Sequence, residues 1–180
     1  MIEAMSEGGT KRRGTVFAPA DALAPEPVIF SYLQGFPEKI EILAPGKSYQ
    51  IDDVSLETPV KHRHPVETYG FIFHTPRHSF SWVVDTKYFD DLPNYYQGEL
   101  VIINVVRLEP GAPIDHLSLP EAQQIIERIK PKVAILTHFG MTMWRAKPWE
   151  LAQKLTEATH TRVIAARDGM RFDLAVLDSV

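Results

Sequence analysis

Four residues of types that can do hydrolytic chemistry stand where apolar runs give way to polar or turn residues. His138 closes the stretch Val133-Ala134-Ile135-Leu136-Thr137-His138-Phe139-Gly140, whose unbroken β-favouring start is the pattern of a strand buried on both faces. Asp85 closes Phe80-Ser81-Trp82-Val83-Val84. A carboxylate buried there without a cation or hydrogen-bond donor costs several kcal/mol, so Asp85 is either a turn cap with Thr86 or a metal ligand. In Val60-Lys61-His62-Arg63-His64-Pro65 a period of two predicts both imidazoles on one face of a strand that the proline ends. His116 lies in Asp115-His116-Leu117-Ser118, just before a strongly patterned helix. His64, Asp85 and His138 at three strand ends make a ligand set for a first-row metal ion, and such an ion activates water and polarises an ester.

The bland alternatives are weighed beside these. His138 reads equally as a hydrogen-bonded histidine at the end of a core strand, until the other histidines are counted with it. His74, His78 and His160 are predicted to face solvent. Tyr95-Tyr96, Trp144 and Trp149 read as core or rim packing, with Met141 to Trp149 as a possible pocket wall after His138. Glu67 either supports His64 or is a loop charge. Lys11-Arg12-Arg13 reads as a solvated turn.

The elements that must carry these groups fall into two halves. Met1 to Glu7 reads as the last turns of a helix stopped at Gly8-Gly9. Thr15 to Ala18 is a short predicted strand, Ala20 to Pro27 a proline-rich loop, and Val28 to Tyr32 another strand. A meander follows: Ile40 to Leu43, Ser48 to Ile51, Val54 to His62, then Gly70 to His74 and Phe80 to Asp85 as a hairpin around Thr75 to Ser79. From Leu100 the pattern alternates. Leu100 to Val106 is a strand, Leu119 to Lys130 a helix, Val133 to Leu136 a strand, Trp149 to Ala158 a helix and Arg162 to Ala166 a strand, which implies right-handed crossovers and parallel pairing. The first of these helices carries a Ser118/Glu121 capping box, Pro120 in its first turn, and Ile125, Ile126 and Ile129 as its buried stripe. Asp168-Gly169 is predicted to turn the chain into a last strand, Met170 to Leu177.

At 180 residues the chain is expected to form a single domain, 1–180, with one core. It has no cysteine, so disulfides, thiolate metal sites and a cysteine nucleophile are excluded, and any transition metal must be held by histidine and carboxylate. A net charge of −4 gives no general pull toward nucleic acid. No membrane span and no signal-peptide core appear, so a cytoplasmic location is the expectation.

Taken as a set, His64-Pro65-Val66-Glu67-Thr68-Tyr69-Gly70, Trp82-Val83-Val84-Asp85-Thr86, Asp115-His116-Leu117-Ser118, Leu136-Thr137-His138-Phe139-Gly140 and Asp168-Gly169-Met170 resemble the metallo-β-lactamase superfamily. The resemblance runs from about position 48 to the C-terminus and is to the branch around ribonuclease Z and related phosphodiesterases. It implies an α+β fold, an αββα sandwich with its N-terminal portion missing, of which residues 1–180 are the second and larger part. It makes His64 and His138 metal ligands, Asp85 the carboxylate that bridges two metals, and His116 the catalytic histidine facing the scissile phosphate. His62 matches no ligand of the family and is a neighbour. The implied cofactor is zinc, one or two ions, with manganese or iron as alternatives. The implied function is a metal-dependent hydrolase acting on a phosphodiester or related ester through an activated hydroxide. The family's His-x-His-x-Asp-His loop, with its general base, has no counterpart here: Met1 to Val60 contains no histidine. A fragment and a true short protein are both open readings, as is the absence of the metal from this chain alone. The rival expectation is a catalytically silent remnant serving as an oligomeric structural or binding domain. A homo-oligomer is expected either way, because a sheet face or edge lacking the family's preceding strands needs cover.

Overall fold

The computed structural model describes residues 1–111 and 113–179. In chain order the elements are α1 (Ile2–Met5), β1 (Thr15–Ala18), β2 (Lys39–Ile42), β3 (Lys47–Ile51), β4 (Val54–Thr58), β5 (Phe71–His74), β6 (Ser79–Val83) and β7 (Leu100–Asn104). They continue with α2 (Leu119–Ile129), β8 (Val133–Thr137), α3 (Met141–Arg145), α4 (Pro148–Thr159) and β9 (Arg162–Ala165). Among the described residues β1 and β2 form a small parallel sheet, and β3 to β9 form a seven-stranded sheet in sequence order. Its first half, β3 to β6, is antiparallel, and β6 to β9 run parallel. The mixed sheet with helices is the expected α+β class; α2 and α4 supply the crossovers of the parallel pairs β7–β8 and β8–β9, and a segment with a 3-10 turn over Leu92–Tyr95 supplies that of β6–β7.

Strand β8 shows why its run is unbroken. Ala134 and Leu136 pack into the main core with Val101, Ile103, Ile125 and Ile126, while Val133 and Ile135 face a second cluster with Leu100 and Leu177. Period-two alternation with both faces covered leaves no position for a polar residue. Helix α2 is entered through the expected box: the backbone N–H and the hydroxyl of Ser118 both donate to the Glu121 carboxylate, at 2.7 and 2.6 Å. Ile125 and Ile126 are fully buried.

Several expectations are corrected. Val28 to Tyr32 is not a strand but leads into a 3-10 turn over Ser31–Leu33, because the Gln34 side-chain amide donates to the Leu23 and Ile29 carbonyls at 3.0 and 2.9 Å. Met170 to Leu177 is not a final strand. Asp173 caps a 3-10 turn over Leu174–Asp178 by accepting from the Ala175 N–H at 2.9 Å, and the segment's apolar residues pack on the sheet face instead of its edge. Strand β4 stops at Thr58 rather than reaching His62, so His62 and His64 do not share a strand face. His78 is buried, not solvent-facing: its Nδ1 lies 3.0 Å from Glu99 and its Nε2 3.5 Å from Asp178. Of the residues read as core or rim packing, Tyr96 is in the core, while Trp144 and Trp149 are exposed and belong to the rim. The short helix α3 had no counterpart in the sequence reading.

Candidate metal centre

The C-terminal ends of the parallel strands β6, β7 and β8 meet the loop after β4 at one edge of the sheet, the place where open α/β sheets present ligands. His64, Asp85 and His116 each offer a ligand atom there, and these atoms all lie within 4.8 Å of one another. His138 reaches the same carboxylate from another side. Its Nε2 is 3.4 Å from Asp85 Oδ1, and His116 Nδ1 is 3.6 Å from that oxygen. The imidazole of His116 stands between the other two, with ring centroids 5.3 Å from His64 and 6.1 Å from His138. The four residues are therefore brought together, His116 in the tighter set and His138 more exposed.

Each group is held by local bonds. His64 and Asp85 are tied through their neighbours: the Arg63 N–H donates to Thr86 Oγ1 at 3.1 Å, and the Lys87 N–H donates to the Arg63 carbonyl at 2.8 Å. Thr86 thus serves this tie and does not cap Asp85. The Asp85 carboxylate instead accepts from Asn104 Nδ2 at 2.9 Å, and Asn104 Oδ1 accepts from Trp82 Nε1 at 3.0 Å. Asp85's own carbonyl accepts from His62 Nδ1 at 3.1 Å. A carbonyl only accepts, so Nδ1 carries the proton and His62 Nε2 accepts from the Tyr96 hydroxyl at 2.5 Å. Burial lowers the His62 pKa to about 4, against the raising effect of the Asp85 carbonyl, and His62 is a neutral, oriented prop. Burial likewise raises the Tyr96 pKa, which keeps that hydroxyl a donor.

His116 is positioned by its backbone. The buried Arg107 guanidinium donates to the His116 carbonyl from Nε at 3.0 Å and Nη2 at 2.6 Å. His138 takes a left-handed φ of 59°, a conformation that costs a non-glycine residue strain and recurs at functional sites. The following turn closes against β7: the Gly140 N–H donates to the Val106 carbonyl at 3.1 Å, and a Cβ at Gly140 would lie 2.5 Å from that oxygen.

Two imidazoles with a carboxylate between them form a nitrogen and oxygen donor set suited to zinc, manganese or iron. One further observation fits a missing partner: among the described residues His116 Nδ1 is buried with no hydrogen-bond partner, and 3.6 Å from Asp85 is too long to supply one. Glu67 does not support His64. It accepts from the Ala20 and Asp21 N–H groups and the Tyr69 hydroxyl, and so fastens the loop after β1.

Residues 2–139 match the family model of the beta-lactamase superfamily domain. The chain belongs to that family. Its metallo-β-lactamase fold is shared with the metallo-beta-lactamase fold protein YhfI of Bacillus subtilis, at a TM-score of 0.72 and 16% identity over 92% of this chain and 67% of that one. A diphosphatase of the PhnP family is similar at a TM-score of 0.64 and 16% identity, covering 96% of this chain and 65% of that chain. Among curated proteins, MJ1374 of Methanocaldococcus jannaschii is 28% identical over 97% of this chain and 67% of its own length. The chain thus spans about two thirds of the length of these relatives.

Sequence reasoning missed Asn104, Arg107 and Tyr96. Asn104 and Arg107 did leave a signal, a polar side chain inside and just after the apolar run Leu100 to Val106. Tyr96 left none, since its partner His62 is remote in sequence.

Proposed function

We propose that the 180 residues form one domain, the larger part of a metal-dependent hydrolase acting on a phosphodiester or related ester. The observation that carries this reading is the convergence of His64, Asp85, His116 and His138 around a single carboxylate at the sheet edge. His64, Asp85 and His138 would hold the metal, and Asp85 has two oxygens with which to serve two ions. A divalent ion there supplies Lewis acidity and lowers the pKa of water. Asn104 restrains one Asp85 oxygen, and the His62–Tyr96 pair restrains the backbone behind it, so the carboxylate stays aimed. His116, fixed through Arg107, would hold a proton for the leaving oxygen, because among the described residues its Nδ1 has no hydrogen-bond partner. The diphosphatase with this fold supports phosphorus ester chemistry without fixing the substrate.

The test is turnover of bis(p-nitrophenyl) phosphate by the chain in the presence of zinc or manganese. The expected result is metal-dependent release of nitrophenolate that Asp85→Ala abolishes. Turnover unchanged in Asp85→Ala, or absent with either metal bound at this site, would overturn the assignment.

A further inference from the structure

Two tryptophans stand wet beside this centre. Trp144 on α3 is 57% exposed and Trp149 on α4 is 56% exposed, and their indoles meet edge to face with centroids 6.0 Å apart. Indoles are large apolar surfaces, and a pair left in solvent on adjoining helices is a surface on which another ring would gain most. Their position ties them to the centre, since α3 begins directly after the turn His138-Phe139-Gly140.

The indoles wall a mainly apolar cleft of about 460 Å³ together with Phe139, Ile164, Met170 and Arg167. It is continuous with a polar cavity of about 470 Å³ that contains His138 and Thr137, because Phe139, Trp144 and Arg167 line both. One side of the cleft thus offers aromatic rings, the other an imidazole of the candidate metal centre. The exposed cation Arg167 lies at the junction and is the group that would meet an anion, with the exposed Asp168 carboxylate beside it on the polar side.

We propose that this cleft is the substrate's ring subsite: the ester hydrolysed is a phosphoester of a planar aromatic or heteroaromatic group, as in a nucleotide. The inference rests on the hydrolase reading above. The ring packs on Trp144 and Trp149, its phosphate points toward His138, and Arg167 offsets the charge. Stacking on aromatic side chains tolerates many rings, so the subsite selects planarity rather than one base.

The test uses the whole chain with zinc present and two probes, adenosine 5′-monophosphate and ribose 5-phosphate, followed by the indole N–H signals in NMR. Adenosine monophosphate is expected to move the Trp144 and Trp149 signals but not that of Trp82, and to bind about tenfold or more tighter than ribose 5-phosphate. Trp144→Ala and Trp149→Ala should each remove most of that preference, and Trp149→Phe should restore part of it. Equal binding of the two probes, or a preference untouched in both alanine variants, overturns the inference. So does a dimer in sedimentation that adenosine monophosphate leaves intact and whose dissociation on dilution moves the Trp144 and Trp149 indole signals. A ring preference in a chain that turns over no phosphoester would sink the hydrolase reading and keep the subsite. Turnover without ring preference would do the reverse.

Discussion

Asn104 and His138 meet at the same atom: the Asn104 amide donates to Asp85 Oδ1 at 2.9 Å, and His138 Nε2 approaches that oxygen at 3.4 Å. A ligand oxygen that already accepts one fixed hydrogen bond has its orientation set before any ion arrives.

Asn104→Ala should therefore weaken zinc affinity by about 10- to 100-fold and, by leaving the Asp85 carboxylate and the Trp82 indole N–H without their partner, cost about 1–3 kcal/mol of stability. Calorimetric titration beside a melting curve checks both. An affinity equal to the parent chain would show that Asp85 needs no such restraint.

Arg107→Ala removes the donors to the His116 carbonyl and leaves that acceptor and Glu121 without their cation. A loss of about 2–3 kcal/mol in urea unfolding is expected, the range for hydrogen bonds to charged groups. A change below about 0.5 kcal/mol, the usual scale for exposed surface changes, would mean the His116 loop is held by other contacts.

Gly70 sits where a side chain has no room. A Cβ there would lie 2.2 Å from the Tyr96 hydroxyl, 2.8 Å from the Trp82 carbonyl and 2.9 Å from His62 Cε1. Gly70→Ala is expected to cost about 1–3 kcal/mol and to disturb the His62–Tyr96 bond. The His62 ring signals in NMR report the second effect, and unchanged signals would contradict it.

The Tyr69 hydroxyl holds the Glu67 carboxyl below its ordinary pKa of 4.5, with the Asp21 and Ala20 N–H groups and Lys61 acting in the same direction. A depressed folded pKa means the unfolded chain binds the proton more readily, so the stabilisation is complete above pH 4.5 and fades as pH falls through the lower folded value. The stability gap between the parent chain and Glu67→Gln should therefore shrink on acidification below about pH 4.5. Urea unfolding from pH 7 to pH 3 measures the gap, and a constant gap would remove Glu67 as its source.

The parallel half was legible because β8 and α2 declare themselves: one is apolar on both faces, the other is capped and striped. The C-terminal segment was misread because Phe172, Leu174 and Leu177 alternate like a strand yet cover a sheet face from a 3-10 turn. At the site, residue types singled out His64, Asp85, His116 and His138 as candidates, and the fold brings their side chains together although His64 lies in the loop after β4 and His116 just before α2. What the sequence could not carry is the support behind them. The tie between His62 and Tyr96, and the clash that keeps position 70 a glycine, exist only once distant segments meet.

In the proposed metal centre His138 is a ligand and His116 handles protons. The most direct test is zinc content, measured after dialysis, beside phosphodiester turnover for the parent chain, His138→Ala and His116→Ala. The expected result is zinc bound to the parent chain, loss of zinc and turnover together in His138→Ala, and retained zinc with turnover lowered about 10²- to 10⁴-fold in His116→Ala. Zinc retained in full by His138→Ala, or lost equally in both variants, would contradict it.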